Sequence, residues 1–488
     1  MINSMIKIRN LKKIILLLFD LLIMLSLFSC TNNSIESTNI NEKNVFGEVL
    51  SNLNIKAFEY DAIDLEEEYD EMAAVLINFD NGTVPEGFES LVSDDGDNVI
   101  IKSGGIYRLT GTLKNKRLWV EKGLGERVQL ILDGLIIDTN KYSAIRIVND
   151  VIAQIFLAND SENVISIEVE GNPKQDAMSR TGIFSRNSLT FTGKGKLIIN
   201  SNTDNVSAVE SDDRIVFIKG TYQFNTKDDS LRAKNSIIFR EGDFIINSGD
   251  DAIKVKNDNG GLIYLDKPNL SIKSGDKGIV SDDQVLILGG NTYIDSAGES
   301  ISGKTIDILG GNISLKSGDD AINSTDGDQN KKSNQVGVYT RIAGGTLDID
   351  ATMDGIDSNG DLHLEGGNIF INGAENDNER IIDYNGIVTC GNGLRFCGVG
   401  PGAKMQDFGD STMENYLVVY FKDLMIPSDN IRITDENEEN ILVFSATKSY
   451  KAALIALKDI KEGNKYRLTA GNKTFDFTVI KGRNEIRE

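Results

Sequence analysis

The sequence of 488 residues contains a single histidine, His363. This count argues against a histidine-containing catalytic triad and against a metal site with several histidine ligands. His363 itself lies between Leu362 and Leu364, two positions expected to face a core, so its side chain should point outward as an ordinary surface residue.

Prolines are few, and basic residues are fewer than acidic ones. Five prolines stand against 47 glycines, so the turns must be built by Gly, Asn and Asp, as in tight, repetitive β folds. Lysine and arginine number 51 against 74 aspartates and glutamates, which gives a formal net charge of −23. A surface this acidic repels nucleic acid and anionic lipid and attracts cations.

The first 30 residues have the three parts of a secretion signal. A basic stretch with Lys12 and Lys13 precedes an apolar run from Ile14 to Phe28, and Ser29-Cys30 follows. The run is too short for a stable membrane span. Its ending resembles a bacterial lipobox, so we expect residues 1–29 to be a lipoprotein signal peptide and Cys30 to be the lipidated residue that anchors the chain to the cell envelope or extracellular surface. A plain secreted protein with a coincidental cysteine is the alternative.

Residues 30–98 are expected to form a tether and a lead-in to the folded body. Residues 31–57 are rich in Asn, Ser, Thr and Glu and lack periodicity, which is typical of an unstructured tether. Over 58–98 the only patterned segment is that from Ala73 to Phe79, which indicates one edge strand.

Internal repetition organises most of the remaining chain. An apolar residue in the pattern small-apolar-x-small, here called the anchor, recurs at intervals that converge on about 22 residues in the central units. The longer intervals contain polar insertions. The anchors are Ile145, Ile183, Val209, Leu231, Ile253, Ile279, Ile301, Ile322, Ile356 and Ile387.

Two pairs of apolar residues follow most anchors, with a glycine between them. The unit that begins at Leu231 continues with Ile237/Phe239, Gly242 and Phe244/Ile246. A spacing of two indicates a strand with one buried face, so each unit holds three short strands. Such units bury their apolar faces only by stacking, with equivalent strands about 4.8 Å apart. The sequence therefore predicts an all-β protein, a right-handed parallel β-helix over 99–402.

The stretch from Gly391 to Gly402 is expected to break the repeat, with a turn at Gly398-Val399-Gly400-Pro401-Gly402. From Tyr416 onward the strand patterns are fewer and differently punctuated. They predict a small antiparallel β cap or sandwich over 403–488, which would also cover the open edge of the last coil.

Acidic residues recur two and three positions before the anchors. Stacking of the coils would place these carboxylates about 5 Å apart, where two unit charges repel by roughly 3 kcal/mol at an effective dielectric constant of 20. A hard divalent cation relieves that repulsion, and calcium accepts six to eight oxygen ligands in varied geometry. Lys277 is expected to divide the ladder into two calcium sites, made of Asp228, Asp229, Asp250, Asp251 and Asp276, and of Glu299, Asp319, Asp320 and Asp354. The alternative is that these aspartates only make solvated turns.

Three basic residues adjoin the aspartate ladder: Arg232, Lys254 and Lys256. They are predicted to be salt partners of the aspartates or contacts to a bound uronate, and they are the candidate bases if the protein is a lyase. Cys390 and Cys397 are the remaining thiols. In an exported protein a disulfide across their short Gly-rich loop is favoured over two free thiols.

The chain resembles the bacterial secreted carbohydrate-binding proteins that have a calcium-rich right-handed β-helix related in fold to pectate lyases. The resemblance covers 100–480 and is carried by GGIYRLTGTL at 104–113, the repeated SGDDAIK and SGDDAIN at 248–254 and 317–323, MDGIDSNGDLHLEGGNIFING at 353–373, and the terminal segment 448–479. It implies binding of cellulose-like and acidic, pectin-type sugars with bound calcium, without lyase turnover. The Cys390–Cys397 loop and the insertions after Ile322 and at 374–384 depart from it.

The function expected from the sequence is that of a surface-anchored lipoprotein that binds polysaccharide and holds calcium on stacked aspartates. Two alternatives stay open. One is a calcium-dependent, pectate-type polysaccharide lyase, and the other is an adhesin or spacer that binds no sugar.

Overall fold

The computed structural model describes residues 58–121, 127–141, 143–148, 151–169, 180–257, 260–327, 333–409, 411, 413 and 415–488. Every element given below lies in the compact unit formed by Tyr60–Glu488. In this described part the structure contains no helix long and apolar enough to cross a membrane. Cys30 and the predicted signal peptide lie outside the described residues.

The body of this unit is a parallel β-helix with three walls, so the predicted fold class is confirmed. The first wall is a sheet of short strands, Val92–Asp94, Asn98–Ile101, Arg117–Val120, Ile145–Ile147, Thr181–Ser185, Ser207–Ser211, Leu231–Ala233, Ile253–Val255, Ile279–Ser281, Ile301–Gly303, Ile322–Ser324, Ile356–Ser358 and Ile382–Tyr384. Its neighbours pair in parallel, apart from the antiparallel first pair.

The second and third walls belong to one larger sheet, because four long strands bend and contribute to both. These are Gly105–Lys114, Arg127–Thr139, Asp361–Asn372 and Val388–Gly400. The second wall also contains Ala74–Asn78, Ile152–Leu157, Leu189–Gly193, Arg214–Phe217, Ser236–Phe239, Leu262–Leu265, Gln284–Ile287, Thr305–Ile308 and Tyr339–Ile342. The third wall also contains Glu162–Ile167, Lys196–Ser201, Thr221–Asn225, Asp243–Asn247, Asn269–Ser274, Asn291–Ser296, Asn312–Ser317 and Thr346–Ala351. A short 3-10 turn at Glu71–Ala73 precedes the first of these strands.

Apolar side chains at every second position of each strand fill the interior between the walls. Ile237 stands in register with Ile263, which is followed by Val285, Ile306, Thr340 and Leu362 on successive coils. All of these side chains are buried. Phe191, Phe217 and Phe239 stack with ring centroids 4.9 and 5.1 Å apart. The alternation read from the sequence is therefore the alternation that closes the core.

The anchors occupy the first wall in a continuous register, with one correction. Ile145 pairs with Ile183, and the series continues through Ile322 and Ile356 to Ile382. The last anchor predicted from the sequence, Ile387, is wrong, since its side chain is 61% exposed. The polar insertion at 374–384 obscured the true position, because Ile381 and Ile382 are both apolar and buried.

The C-terminal region extends the larger sheet and adds a small one. Tyr450–Leu457 pairs antiparallel with Val388–Gly400 on the last coil, and Asn415–Met425 and Gly482–Arg487 follow it in the same sheet. The four-stranded antiparallel sheet contains Asn440–Phe444, Ile431–Thr434, Lys465–Ala470 and Lys473–Thr478. The edge of the last coil is thereby paired, as expected.

The expected break at Gly391–Gly402 is not observed, since the repeat continues through Gly400. Gly398–Gly400 belongs to a strand that pairs with Ala452–Leu454. A Cβ atom on Gly398 would lie 2.2 Å from Cγ2 of Ile381. Glycine is required here by close packing and not by a turn.

A segment at 60–70, here called the strap, runs across the outer face of the second wall. The Asp64 carboxylate is fully buried and accepts a 2.6 Å hydrogen bond from Thr190 Oγ1. Arg214 Nη2 lies 3.1 Å from the same carboxylate, and Gln154 Nε2 donates to the carbonyl oxygen of Glu66 at 2.9 Å. The strap therefore covers part of this wall, while the first and third walls keep exposed side chains.

We predict that Gly275→Ala destabilises the stacked loops before the first wall. A Cβ atom on Gly275 would lie 1.9 Å from the carbonyl oxygen of Gly249 on the preceding coil. Relief of this clash must move backbone, which costs about 1–3 kcal/mol of the free energy of unfolding. Denaturant melts should show the loss. Gly393→Ala is the control, because its nearest neighbour would be 3.8 Å away, and an equal loss in both variants would contradict the prediction.

Candidate functional site

Carboxylates gather in the loops that lead into the first wall, where the register of Leu231, Ile253 and Ile279 stacks one loop on the next. In the described part of the chain, one group of ligand atoms from Asp228, Asp229 and Asp250 lies within 4.8 Å of one another. A second group is formed in the same way by Asp250, Asp251 and Asp276. The structure therefore brings together all five residues of the first predicted site.

Backbone amides of the next coil hold part of this ladder in place. Asp229 Oδ1 accepts a 3.1 Å hydrogen bond from the amide of Asp251, and Asp251 Oδ1 accepts one of 3.0 Å from the amide of Lys277. These bonds of the aspartate side chains join successive coils. The bonds within each turn that the solvated-turn alternative predicts are made by the hydroxyls of Thr226, Ser248 and Ser274. One oxygen of each of these two carboxylates is thereby oriented by the backbone, and the other remains for charge–charge contacts.

Two of the three predicted basic residues contact the first group. Lys254 Nζ lies 2.7 Å from Asp251 Oδ2 and 3.4 Å from Asp229 Oδ2, and Arg232 Nε lies 3.4 Å from Asp229 Oδ2. Lys256 is exposed. The described ion pairs do not join Lys256 to these aspartates. The salt partners expected from the sequence are therefore Arg232 and Lys254.

Burial and mutual repulsion disfavour the charged forms of these carboxyl groups. Burial raises the pKa of Asp229 to about 6, although the ammonium group of Lys254 opposes the shift. The pKa values of Asp250 and Asp276 are also raised, first by burial and then by the charge of Asp251. Lys254 and Arg232 therefore do not fully offset the negative charge of the aspartates in the first cluster.

The second predicted site is arranged differently from the prediction. Glu299 forms an ion pair with Lys277, whose Nζ lies 2.8 Å from Glu299 Oε1. This contact lowers the pKa of the Glu299 carboxyl group against the effect of burial. Further along, ligand atoms of Asp354, Asp357 and Asp383 lie within 4.8 Å of one another. The charge of Asp319 raises the pKa of Asp357, and the charges of Asp357 and Asp354 in turn raise that of Asp320.

The pKa values of three carboxyl groups here, those of Asp320, Asp354 and Asp357, are strongly raised. Burial, followed by the charge of Asp357, raises the pKa of Asp320 to about 8. Burial and the charge of Asp354 raise the pKa of Asp357 to about 7, and burial raises that of Asp354 to about 6. Arg380 pairs with Asp383 and donates its backbone amide to Asp354.

Asp357 and Asp383 were missed by the sequence reasoning. Both stand one residue after an anchor and pair with each other across adjacent coils, on the row that carries Arg232 and Lys254 in earlier coils. The predicted ladder contains only acidic residues that precede an anchor, whereas Asp357 follows Ile356. Asp383 was lost because the last anchor was placed at Ile387 and not at Ile382.

We predict that the metal-free protein is less stable at pH 8 than at pH 5. A carboxyl group whose pKa is raised by folding binds its proton more tightly in the folded state, so the free energy of unfolding falls as pH rises from the unfolded pKa of about 4 towards the folded value. For Asp229, Asp354, Asp357 and Asp320 the folded values run from about 6 to about 8. Thermal melts in chelator at the two pH values measure this. A midpoint that rises steadily to pH 8 would contradict it.

The predicted disulfide between Cys390 and Cys397 is wrong, since both thiols are free and buried. Cys390 stands in register with Leu364 and packs in the interior of the β-helix. Cys397 stands in register with Phe370 and packs in the separate core under the C-terminal sheets. The side chains point into two different cores, so no short loop brings them together. Burial raises the pKa of Cys390 to about 11.

His363 is not the plain surface residue that was predicted, although it does point outward. Its ring is half-buried, and Nδ1 lies 2.8 Å from Thr389 Oγ1. Burial, followed by the charge of Arg341, lowers its pKa. Nearby, Arg341 Nε lies 3.2 Å from the fully buried Asp307, to which Tyr339 donates a 3.0 Å hydrogen bond.

This chain is similar to proteins that are already known. A carbohydrate-binding domain-containing protein from Acetivibrio thermocellus is 30% identical over 141 residues, which span 28% of this chain and 49% of that protein. The chain thus spans about half the length of this curated relative. A solved polysaccharide lyase-like protein from C. thermocellum, a gadolinium derivative, is 19% identical with a TM-score of 0.35, over 63% of this chain and 92% of that one.

The family profile covers more than half of the sequence. The profile of carbohydrate-binding domain-containing proteins matches residues 95–302 and 269–393, which include most of the β-helix and both carboxylate clusters. The chain therefore belongs to the family of carbohydrate-binding domain-containing proteins.

Proposed function

We propose that this protein is a surface-anchored lipoprotein that binds polysaccharide and holds calcium ions on the stacked aspartates of its first wall. The observation that carries the proposal is the cluster of Asp228, Asp229, Asp250, Asp251 and Asp276, in a member of a carbohydrate-binding family. The anchor is the lipidated Cys30 expected from the sequence. The ligand is an acidic or cellulose-like glycan.

The donor set of the first cluster fits calcium. It offers carboxylate oxygens alone, without the sulfur or imidazole ligands that favour zinc or copper. Two of its members, Asp229 and Asp251, are buried, and a buried carboxylate needs a cation or a proton to offset its charge. Asp354, Asp357 and Asp383 supply a second set of the same kind. A calcium ion held at either set would supply positive charge that an acidic sugar can share.

Acidic glycan is proposed to bind along the outer face of the first wall, beside the first cluster. Arg232 and Lys254 stand in register on adjacent strands there, and their side chains are 43% and 27% exposed. The protein as a whole is acidic, so a uronate gains binding energy only where calcium and these two cations outweigh that charge.

Binding of polygalacturonate to the full mature chain tests this proposal. We expect binding in calcium, loss of binding in chelator, and a weaker interaction at high salt, because all three depend on the same local positive charge. Asp250→Asn with Asp251→Asn should remove the calcium dependence together with most of the affinity. Unchanged binding in chelator would overturn the calcium role. Absence of binding to every glycan by a folded protein would favour an adhesin or spacer.

Cleavage is the second candidate, and the state of Lys254 argues against it. Its contacts with Asp251 and Asp229 raise its pKa against the effect of burial, which disfavours the neutral amine that a general base requires. Arg232 is paired with Asp229. Incubation of polygalacturonate with protein and calcium, followed by ultraviolet absorbance of unsaturated products, decides the matter. Steady product formation that is lost in Arg232→Ala or Lys254→Ala would establish a lyase.

A further inference from the structure

The outer face of the third wall carries regular rows of amides that the calcium clusters do not use. On one edge Asn269 Nδ2 donates to Asp243 Oδ1 at 2.8 Å, Asn291 donates to Asn269 at 2.8 Å, and Asn312 donates to Asn291 at 3.0 Å. On the other edge Asn225 donates to Asn200 at 2.8 Å and Asn247 donates to Asn225 at 2.9 Å. We call these the two asparagine rows.

Each asparagine in such a row keeps binding capacity for a ligand. A primary amide has two N–H donors and an oxygen with two lone pairs. An asparagine within a row uses one donor and one lone pair on its neighbours, so one of each remains. Sugar hydroxyls both donate and accept hydrogen bonds, and the rows repeat along the coil axis about every 4.8 Å. The rows therefore suit a polyhydroxylated polymer that lies along the axis.

The exposed side chains of Ile245 and Tyr293 lie along the middle of this face. The two rows share the strand Asp243–Asn247, which carries Ile245, whereas Tyr293 lies between Asn291 and Asp295. Ile245 is 50% exposed and Tyr293 is 45% exposed. Ser271 stands between them in register, on the intervening strand. An exposed aromatic ring has an apolar face and a polar hydroxyl, the combination that contacts both the C–H face and the hydroxyls of a sugar ring.

A groove follows one of the asparagine rows across several coils. Its volume is about 610 Å³, and its walls include Asn225, Asn247 and Lys273 on one side and Lys227 and Gly249 on the other. The loops that form its second wall continue directly into Asp228 and Asp250. The groove therefore lies beside the carboxylate loops, and its lining combines amides, hydroxyls and backbone with the charged side chains of Asp204, Lys227 and Lys273.

Over the strands from Asp243–Asn247 to Asn312–Ser317, this face is electrically balanced in a strongly acidic protein. Asp243 and Asp295 on the outer face are matched by Lys273 and Lys316, and Lys316 Nζ lies 3.8 Å from Asp295 Oδ1. The whole chain carries a net charge of −23. A neutral ligand is not repelled here, whereas an anionic ligand finds no excess positive charge.

We infer that the outer face of the third wall, with its two asparagine rows, Ile245 and Tyr293, is a second, metal-independent binding site for a neutral, extended glycan that lies along the coil axis. The inference rests on the proposed polysaccharide-binding function and adds to it a location for the neutral ligand and independence of metal. The calcium-dependent acidic mode belongs to the first wall, and the neutral mode belongs to the third.

The test measures binding of the full mature chain to a soluble neutral β-glucan and to polygalacturonate, each in calcium and in chelator. Neutral-glycan binding should persist in chelator and fall roughly tenfold or more in Tyr293→Ala, since truncation of a central aromatic contact has effects of this size. Ser271→Glu, which places a bulky charge between Ile245 and Tyr293, should abolish it. Ile245→Ala should weaken it, whereas Val443→Ala, also 50% exposed but in the small C-terminal sheet, should not.

The outcomes separate this site from the proposed function. Calcium-dependent binding of polygalacturonate should be unchanged in all four variants, which also shows that they are folded. Neutral-glycan binding that is equal in wild type, Tyr293→Ala and Ser271→Glu would overturn the third-wall site and leave the proposed function standing. Neutral-glycan binding lost in chelator would overturn its metal independence. Failure of the folded wild type to bind either glycan would overturn both.

Discussion

Removal of calcium with a chelator is expected to lower the thermal midpoint of this protein by several degrees. In the first cluster, carboxylates of Asp228, Asp229 and Asp250 lie within 4.8 Å of one another. Charges about 5 Å apart repel by roughly 3 kcal/mol at an effective dielectric constant of 20. A cation that binds only the folded state contributes about 4 kcal/mol at a thousandfold excess over its Kd. Melts recorded in calcium and in chelator measure the difference.

The double variant Asp250→Asn with Asp251→Asn should abolish most of that shift. Asp250 belongs to both carboxylate groups of the first cluster, and Asp251 belongs to the second. Loss of their charge removes ligands and repulsion together, so the variant should melt at nearly the same temperature with and without calcium. Asp204→Asn is the control that removes one carboxylate charge elsewhere, because its side chain is 83% exposed and lies outside the cluster. Identical wild-type melts in calcium and chelator, with no calcium by elemental analysis, would rule out the metal.

The site residues that recur at the repeat spacing could be predicted from the sequence. Those whose position depends on one particular ion pair or one insertion could not. Asp229 and Asp251 recur at the anchor spacing, so stacking of the coils was enough to bring them together. Glu299 recurs at the same position but pairs with Lys277, which holds the equivalent position on the preceding coil. Asp383 depended on one insertion, which hid the register of the last anchor.

The fold was predictable for the same physical reason, and the exceptions are equally specific. Period-two alternation placed Ile237 and Leu362 inside, and both are buried. Cys390 and Cys397 lie in one continuous strand that bends between two walls. Their spacing alone gave no sign that they enter different cores. The strap has no periodicity at all, and its contacts with Arg214 and Thr190 are made by residues distant in sequence.

The strap bears on function because it decides which outer faces of the β-helix are open. Gln154 and Thr190 on the second wall are buried and bonded to strap residues. By contrast, Lys254 on the first wall and Tyr293 on the third wall remain partly exposed. The strap thereby covers part of the second wall, whereas the two walls proposed to bind glycan keep exposed side chains.

Asp64→Ala is expected to release the strap and to lower the free energy of unfolding by about 1–3 kcal/mol, because it leaves the buried hydroxyl of Thr190 without its acceptor, while Arg214 keeps the exposed carboxylate of Asp61. Asp64 is fully buried, accepts from Thr190 Oγ1 and lies 3.1 Å from Arg214 Nη2, whose side chain is 17% exposed. Hydrogen exchange of residues 60–70 and of the second-wall strand Leu189–Gly193 should become faster. Denaturant melts measure the global loss.

Asp61→Ala is the matched control, since Asp61 pairs with the same arginine from a side chain that is 65% exposed. An exposed ion pair contributes at most about 1 kcal/mol, so this variant should keep the strap protected from exchange. If Asp61→Ala and Asp64→Ala have equal effects, burial of Asp64 does not determine how strongly the strap is held, and the prediction is wrong. If Asp64→Ala alone opens the strap while calcium-dependent glycan binding is unchanged, the second wall is a structural face and not part of the binding surface.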